Sequence, residues 1–115
     1  ASGSLYVKIW KGLQELAKLW LIDSVHTKMS GAQAAGCSPI VSAWEKGQRE
    51  VEPVEVGETI AESIAAGAPA LGWRCLSAIA ETGGAAASAT DEEILAARSL
   101  LARTTGVFCE PSAAA

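Results

Sequence analysis

The chain has 115 residues, 50% of them hydrophobic and one in five alanine, with nine basic and 13 acidic side chains and a formal charge of −4. That apolar content can offset the entropy of ordering one small domain, and it excludes disordered, collagen-like and disulfide-stapled classes. An acidic balance, with a pI near 4.9, excludes a nucleic-acid footprint, and charges interrupt every apolar run before it could span a bilayer.

From Leu5 to Ile22, Ile9, Leu13, Leu16 and Trp20 recur at helical spacing between Lys8, Lys11, Glu15 and Lys18. This predicts an amphipathic helix, interrupted by Gly12 and closed at Asp23-Ser24. Lys28 to Ala35 is short and small-residued and reads as a buried strand, its Gly31, Ala32 and Ala34 admitting another backbone closely. Ser38-Pro39 reads as N-cap and first turn of a helix that passes Trp44 and stops near Gly47. Gln48 to Glu58 is a loop or edge segment, and Thr59 to Ala66 is expected to be helical before Gly67-Ala68-Pro69.

A further helix runs from about Leu71 to Glu81, with Gly83-Gly84 as its stop, and Ala85 to Ala89 is a second strand candidate. Thr90-Asp91-Glu92-Glu93 is a capping box that starts a helix through Ile94 and Leu101 to Gly106. Val107-Phe108-Cys109 reads as a third strand, and Glu110-Pro111-Ser112 as the opening of a helix. Helices alternating with short apolar strands predict an α/β fold: a partial three-layer α/β/α arrangement whose small, mainly parallel sheet is flanked by helices. Three strands make a thin sheet, and parallel strands are normally covered on both faces. The opening residue is Ala1 rather than methionine, and the sequence closes on Ala113-Ala114-Ala115. Both ends suggest a piece of a larger chain.

Cys37, Cys75 and Cys109 are widely spaced and His26 is the one histidine. That pattern predicts reduced thiols of a cytoplasmic protein and no metal site; nothing local supports a Cys/His nucleophile pair. Ser2-Gly3-Ser4 stands ahead of the first helix, where a glycine turn can offer amides and hydroxyls to a phosphate; as a bare motif it is weak, and such a run is more often a frayed end. Glu92-Glu93 is occupied in capping, and Glu50, Glu52, Glu55 and Glu58 form a solvated loop surface. Glu110 follows the last strand candidate, at the kind of strand end where parallel sheets bind ligands. An ordinary first-turn Glu beside Pro111 fits as well.

Several segments taken together resemble one family. They are Ile9-Trp10-Lys11-Gly12 with Glu15-Leu16, the run GAQAAGCSPI from Gly31 to Ile40, Glu58-Thr59-Ile60-Ala61 with Gly67-Ala68-Pro69, and Ser88 to Leu95. Leu101-Ala102-Arg103 and the run from Gly106 through Glu110-Pro111-Ser112 to Ala114 complete the set. In this order and spacing they are similar to the C-terminal half of threonine synthase, a pyridoxal-phosphate family with the tryptophan-synthase-β-like fold. Residues 1–115 are thus expected to be a single segment resembling the C-terminal cofactor-binding lobe of a fold type II enzyme. Cysteate synthase and threonine dehydratase are close alternatives.

The resemblance implies conversion of O-phosphohomoserine and water to threonine and phosphate. It implies that Ser2, Gly3 and Ser4, with Ala1 and Leu5, bind the cofactor phosphate, and that Glu110 and Ser112 lie toward the cofactor ring. It also implies departures. The family's Schiff-base lysine lies upstream of the phosphate loop and its ring-nitrogen partner downstream of the last motif, so no catalytic residue is assigned here. Ala1 replaces the loop's first glycine, the last motif reads CEPSAAA where CEPASAAA is usual, and Trp20 stands where glycine is common. The expectation is an inactive isolated chain that binds pyridoxal phosphate weakly or not at all. Its partners would be a small-molecule phosphate ligand and either further copies of itself, as a homo-oligomer, or a complementing missing segment. Two other readings stand beside it: a non-enzymatic, self-associating small α/β protein derived from such an enzyme, and a phosphate-binding module.

Overall fold

The computed structural model describes residues 2–115. Helix α1 (Ser4–Lys18) comes first, followed by strand β1 (Gly31–Ala34), helix α2 (Pro39–Glu45) and a single 3-10 turn at Glu62–Ile64. Helix α3 (Gly72–Thr82), strand β2 (Ala86–Ala89), helix α4 (Asp91–Thr105) and the short helix α5 (Pro111–Ala114) complete the chain. The two strands pair in parallel, with Gly31 opposite Ala86 and Ala34 opposite Ala89. The mixed α/β class and its small parallel sheet are as the sequence predicts.

Helix α2 packs against both strands and against α3, and α3 in turn carries α1. At the far side, Ala34, Ala61 and Ile94 are fully buried, with Ile64, Ala89, Ala114 and Ala115 packed around them. Alanines on the strands let neighbouring elements approach this closely. A compact chain of this length has a radius of gyration of about 13 Å. Here it is 15.0 Å, with a shortest extent of 19 Å. The body is flat.

Helix α4 starts as its capping box dictates: Glu93 N–H donates to Thr90 Oγ1 at 3.3 Å, and Thr90 N–H to Glu93 Oε2 at 2.8 Å. Elsewhere the structure corrects the sequence reading. The segment from Thr59 is not a helix, because Asp91 takes its polar groups: Oδ1 accepts from Thr59 Oγ1 at 2.7 Å and Oδ2 from Ile60 N–H at 3.1 Å. Side-chain acceptors of this kind compete directly with helical hydrogen bonding. Residues 107–110 form no strand; Val107 and Phe108 lie exposed. The described sheet has two strands, not three.

Helix α1 ends at Lys18, four residues before the expected Ile22. Trp20 N–H donates to the Ala17 carbonyl and Leu21 N–H to the Leu16 carbonyl, both at 3.0 Å. This is a Schellman closure, which places a left-handed residue just past the helix. Helix α2 closes in the same way on Gly47, with φ +65°, but α1 uses Trp20, with φ +57° and 90% of its surface exposed. An L-residue with a Cβ is strained there. Trp20→Gly is therefore expected to raise stability by about 0.5–1 kcal/mol, the strain relieved less the entropy added to the unfolded chain. Urea unfolding measures this; a destabilised variant would show that the indole contributes packing that outweighs its strain.

Candidate functional site

Gly3 carries the turn into α1. Its φ is +84°, and its carbonyl accepts the first helical hydrogen bond, from Val7 N–H, at 3.0 Å. The amides of Ser4, Leu5 and Tyr6 therefore open the helix with no intrahelical acceptor. No side chain caps this end and no acidic residue stands in its first turn, so the positive end of the dipole is uncompensated. Helix α4, of equal length, is the opposite case, with Thr90 capping it and Asp91, Glu92 and Glu93 in its first turn.

The turn is fixed from behind. A Cβ on Gly3 would stand 2.6 Å from Cys75 Sγ and 3.4 Å from the Leu71 carbonyl oxygen. Leu71 N–H donates to the Ser2 carbonyl at 3.1 Å. Conformation and space both demand glycine here. Gly3 also lines a cavity of about 340 Å³, walled in part by Tyr6, Ile9, Gly31, Ile64 and Ile79. Among the described residues, none of the chain's lysines reaches that wall. A larger groove of about 940 Å³ lies elsewhere, past Trp44 and Trp73, and contains none of the expected site residues.

Of the expected phosphate-loop residues, Ser2 and Ser4 are exposed and Gly3 is half-buried, all at the start of α1. Ala1 lies outside the described residues. Glu110 and Ser112 form a separate group. Glu110 is the N-cap of α5 rather than the residue after a strand. Ser63 Oγ lies 3.3 Å from both Glu110 carboxylate oxygens and 2.7 Å from Ser112 Oγ. Neither Glu110 nor Ser112 lines the cavity, but Ser63 is followed directly by Ile64, which does. Among the described residues, that turn links the two groups.

Three further residues escaped the sequence reading. Gln33, buried in β1, accepts from Ile40 N–H at 2.9 Å and Val41 N–H at 3.1 Å. It caps α2 in place of Ser38, whose side chain makes no cap bond. A lone polar residue in an otherwise small, apolar strand was the available signal. Ser63 has no local signature at all. Tyr6 is the third: its hydroxyl is buried without a hydrogen-bond partner.

Burial, and then the neighbouring Cys75, pushes the Tyr6 phenol from its ordinary 10.0 up to about 12. The folded state therefore holds this proton where the unfolded chain has lost it. Stability from Tyr6 is complete below pH 10.0 and declines as pH rises toward about 12. Ultraviolet titration of this single tyrosine should give a midpoint near 12 in the folded protein. A midpoint at the ordinary value would mean that the ring is solvated.

Comparison with known proteins follows the same residues. The chain matches the model for "Pyridoxal-phosphate dependent enzyme" over residues 1–115. It is 48% identical over 107 residues to threonine synthase of Methanosarcina acetivorans, covering 93% of this chain and 26% of that protein. Threonine synthases of Methanocaldococcus jannaschii and Mycobacterium tuberculosis are each 44% identical over 106 residues, covering 92% of this chain and 26% and 27% of their own lengths. The chain thus spans about a quarter of the length of these curated relatives. With a match that runs from the glycine turn through α5, the chain belongs to the pyridoxal-phosphate-dependent enzyme family.

Proposed function

We propose that this chain supplies the phosphate cradle and one wall of the cofactor cleft of an enzyme that converts O-phosphohomoserine and water to threonine and phosphate. The observation that carries this reading is the uncapped start of α1 at Gly3, opening beside the 340 Å³ cavity. Similarity to threonine synthases over 92–93% of the chain supports the substrate class.

The residues fit a phosphate. Amides of Ser4, Leu5 and Tyr6, the hydroxyls of Ser2 and Ser4, and the helix dipole all favour a dianion at this point. Gly3 keeps the approach free of side chain. The cofactor, when bound, supplies an electron sink for carbanion chemistry. Glu110 and Ser112, tied by Ser63, form the polar edge assigned to the ring side. Lys8, Lys11, Lys18, Lys28 and Lys46 all lie off the cavity wall, so the isolated chain binds the cofactor weakly at most, without covalent attachment, and does not turn over substrate.

A second reading rests on α1 itself. None of its 15 residues is buried, and Leu5 and Ile9 are 75% and 49% exposed. A helix with such an apolar face needs a cover. Either a complementing segment of a longer enzyme or, in a non-enzymatic protein, a second copy of this chain provides it. Sedimentation decides between them: a monomer across the micromolar range removes the self-associating reading.

The cradle is tested by titrating the chain with inorganic phosphate and with pyridoxal phosphate while following backbone amide resonances. Shifts centred on Gly3, Ser4 and Leu5 are expected with both, and borohydride reduction should leave no lysine adduct. Shifts confined to other regions would overturn the assignment, and a reduced adduct on any of the five lysines would overturn the non-covalent mode.

A further inference from the structure

The cradle itself is only as well placed as the surface behind it, and that surface is a single helical turn. Leu71 is the N-cap of α3, and Cys75 lies one turn further on. Leu71 N–H holds the Ser2 carbonyl at 3.1 Å. The Cys75 thiol donates to the Gly3 carbonyl at 3.8 Å, within the longer range that sulfur allows. Its sulfur also occupies the space that a Gly3 side chain would need, 2.6 Å from the Cβ position. The Gly3 carbonyl meanwhile accepts from Val7 N–H, so the atom that Cys75 touches is the one on which the first turn of α1 is built. Cys75 is 4% exposed and free of any disulfide. Neither Leu71 nor Cys75 belongs to the segments that carry the family resemblance.

We infer that Cys75, together with the Leu71 amide, is the positioning element of the phosphate cradle: it sets the height and direction of the Gly3 turn and touches no ligand itself. The inference rests on the cradle reading above and names what holds that cradle in place. A side chain at position 75 then acts through Gly3 by two separable routes. One is the hydrogen bond to the Gly3 carbonyl, which at 3.8 Å needs the reach of sulfur: a serine hydroxyl, on a bond shorter by about 0.4 Å, ends beyond hydrogen-bond distance. The other is volume. The sulfur fills its space with one atom, so a β-branched side chain would drive into Gly3, and alanine would leave the turn unsupported.

The experiment uses the full chain as wild type, Cys75→Ser, Cys75→Ala and Cys75→Val, with two readouts. Dissociation constants for inorganic phosphate and for pyridoxal phosphate are measured beside the urea midpoint of each variant. Cys75→Ala and Cys75→Ser are each expected to weaken both ligands about threefold, the worth of one weak hydrogen bond. Cys75→Val is expected to weaken both by about tenfold or more, because it displaces the turn. Variants that lower the urea midpoint while leaving the constants unchanged would show a merely structural cysteine and overturn the inference. The second readout needs no ligand: amide resonances of Gly3, Ser4 and Leu5 should move in the serine, alanine and valine variants alike. If wild type binds neither ligand, the cradle reading fails, and this loop readout still decides whether Cys75 sets the turn. Changes limited to α3 would sink it.

Discussion

The Gly3 turn rests on the first turn of α3 through the Leu71 backbone and the Cys75 sulfur, and the direction of α1 follows from that contact. Cys75 Sγ stands 2.6 Å from where a Cβ would be, and the Ser2 carbonyl is tied to Leu71. Because Gly3 must adopt a left-handed turn to fit, its neighbours' amides emerge together at the head of a 15-residue helix. A carboxylate or a capping hydroxyl at that end would compensate the dipole internally, as Thr90 and its acidic neighbours do for α4. At α1 the compensation is left to something else. Packing and electrostatics meet at one residue without a side chain.

The rest of the molecule repeats the device of close backbone approach. Gly84 lies so near the Met29 carbonyl, and Gly36 so near the Glu58 carbonyl, that neither position could accept a Cβ. The strands contribute mostly alanine, Ala34 and Ala61 are fully buried, and Ile94 fills the largest space between them. Ala43 and Ala78 are buried in the same way: thin layers need small residues where they touch. The same thinness leaves α1 with no buried residue and the sheet with two strands. Such a body suits one wall of a cleft better than a self-sufficient core.

Features with local physical causes were legible in the sequence. The capping box at Thr90, the proline start at Pro39 and the small-residue strands around Ala32 and Ala87 each appear where expected. From residues alone the phosphate loop at Gly3 is the weaker of two readings, and the family resemblance makes it the leading one. What was missed depends on contacts between distant segments. Asp91 unwinds the segment after Thr59 from 32 positions away; no window around Thr59 contains it. Gln33 takes over the cap that Ser38 advertised. Trp20 stands where glycine is common in the family it resembles, and the closure of α1, which requires a left-handed residue there, supplies the reason. Val107 and Phe108 have strand composition, but no neighbouring strand pairs with them.

The central claim is that the head of α1 binds the phosphate group of the cofactor. It is tested most directly by comparing the dissociation constants of pyridoxal phosphate and dephosphorylated pyridoxal for the same chain. The account predicts that pyridoxal phosphate binds at least about tenfold more tightly, since only it reaches the free amides and the dipole. It predicts further that Gly3→Ala abolishes the difference. Equal affinity for the two compounds, or a preference that survives Gly3→Ala, would contradict it.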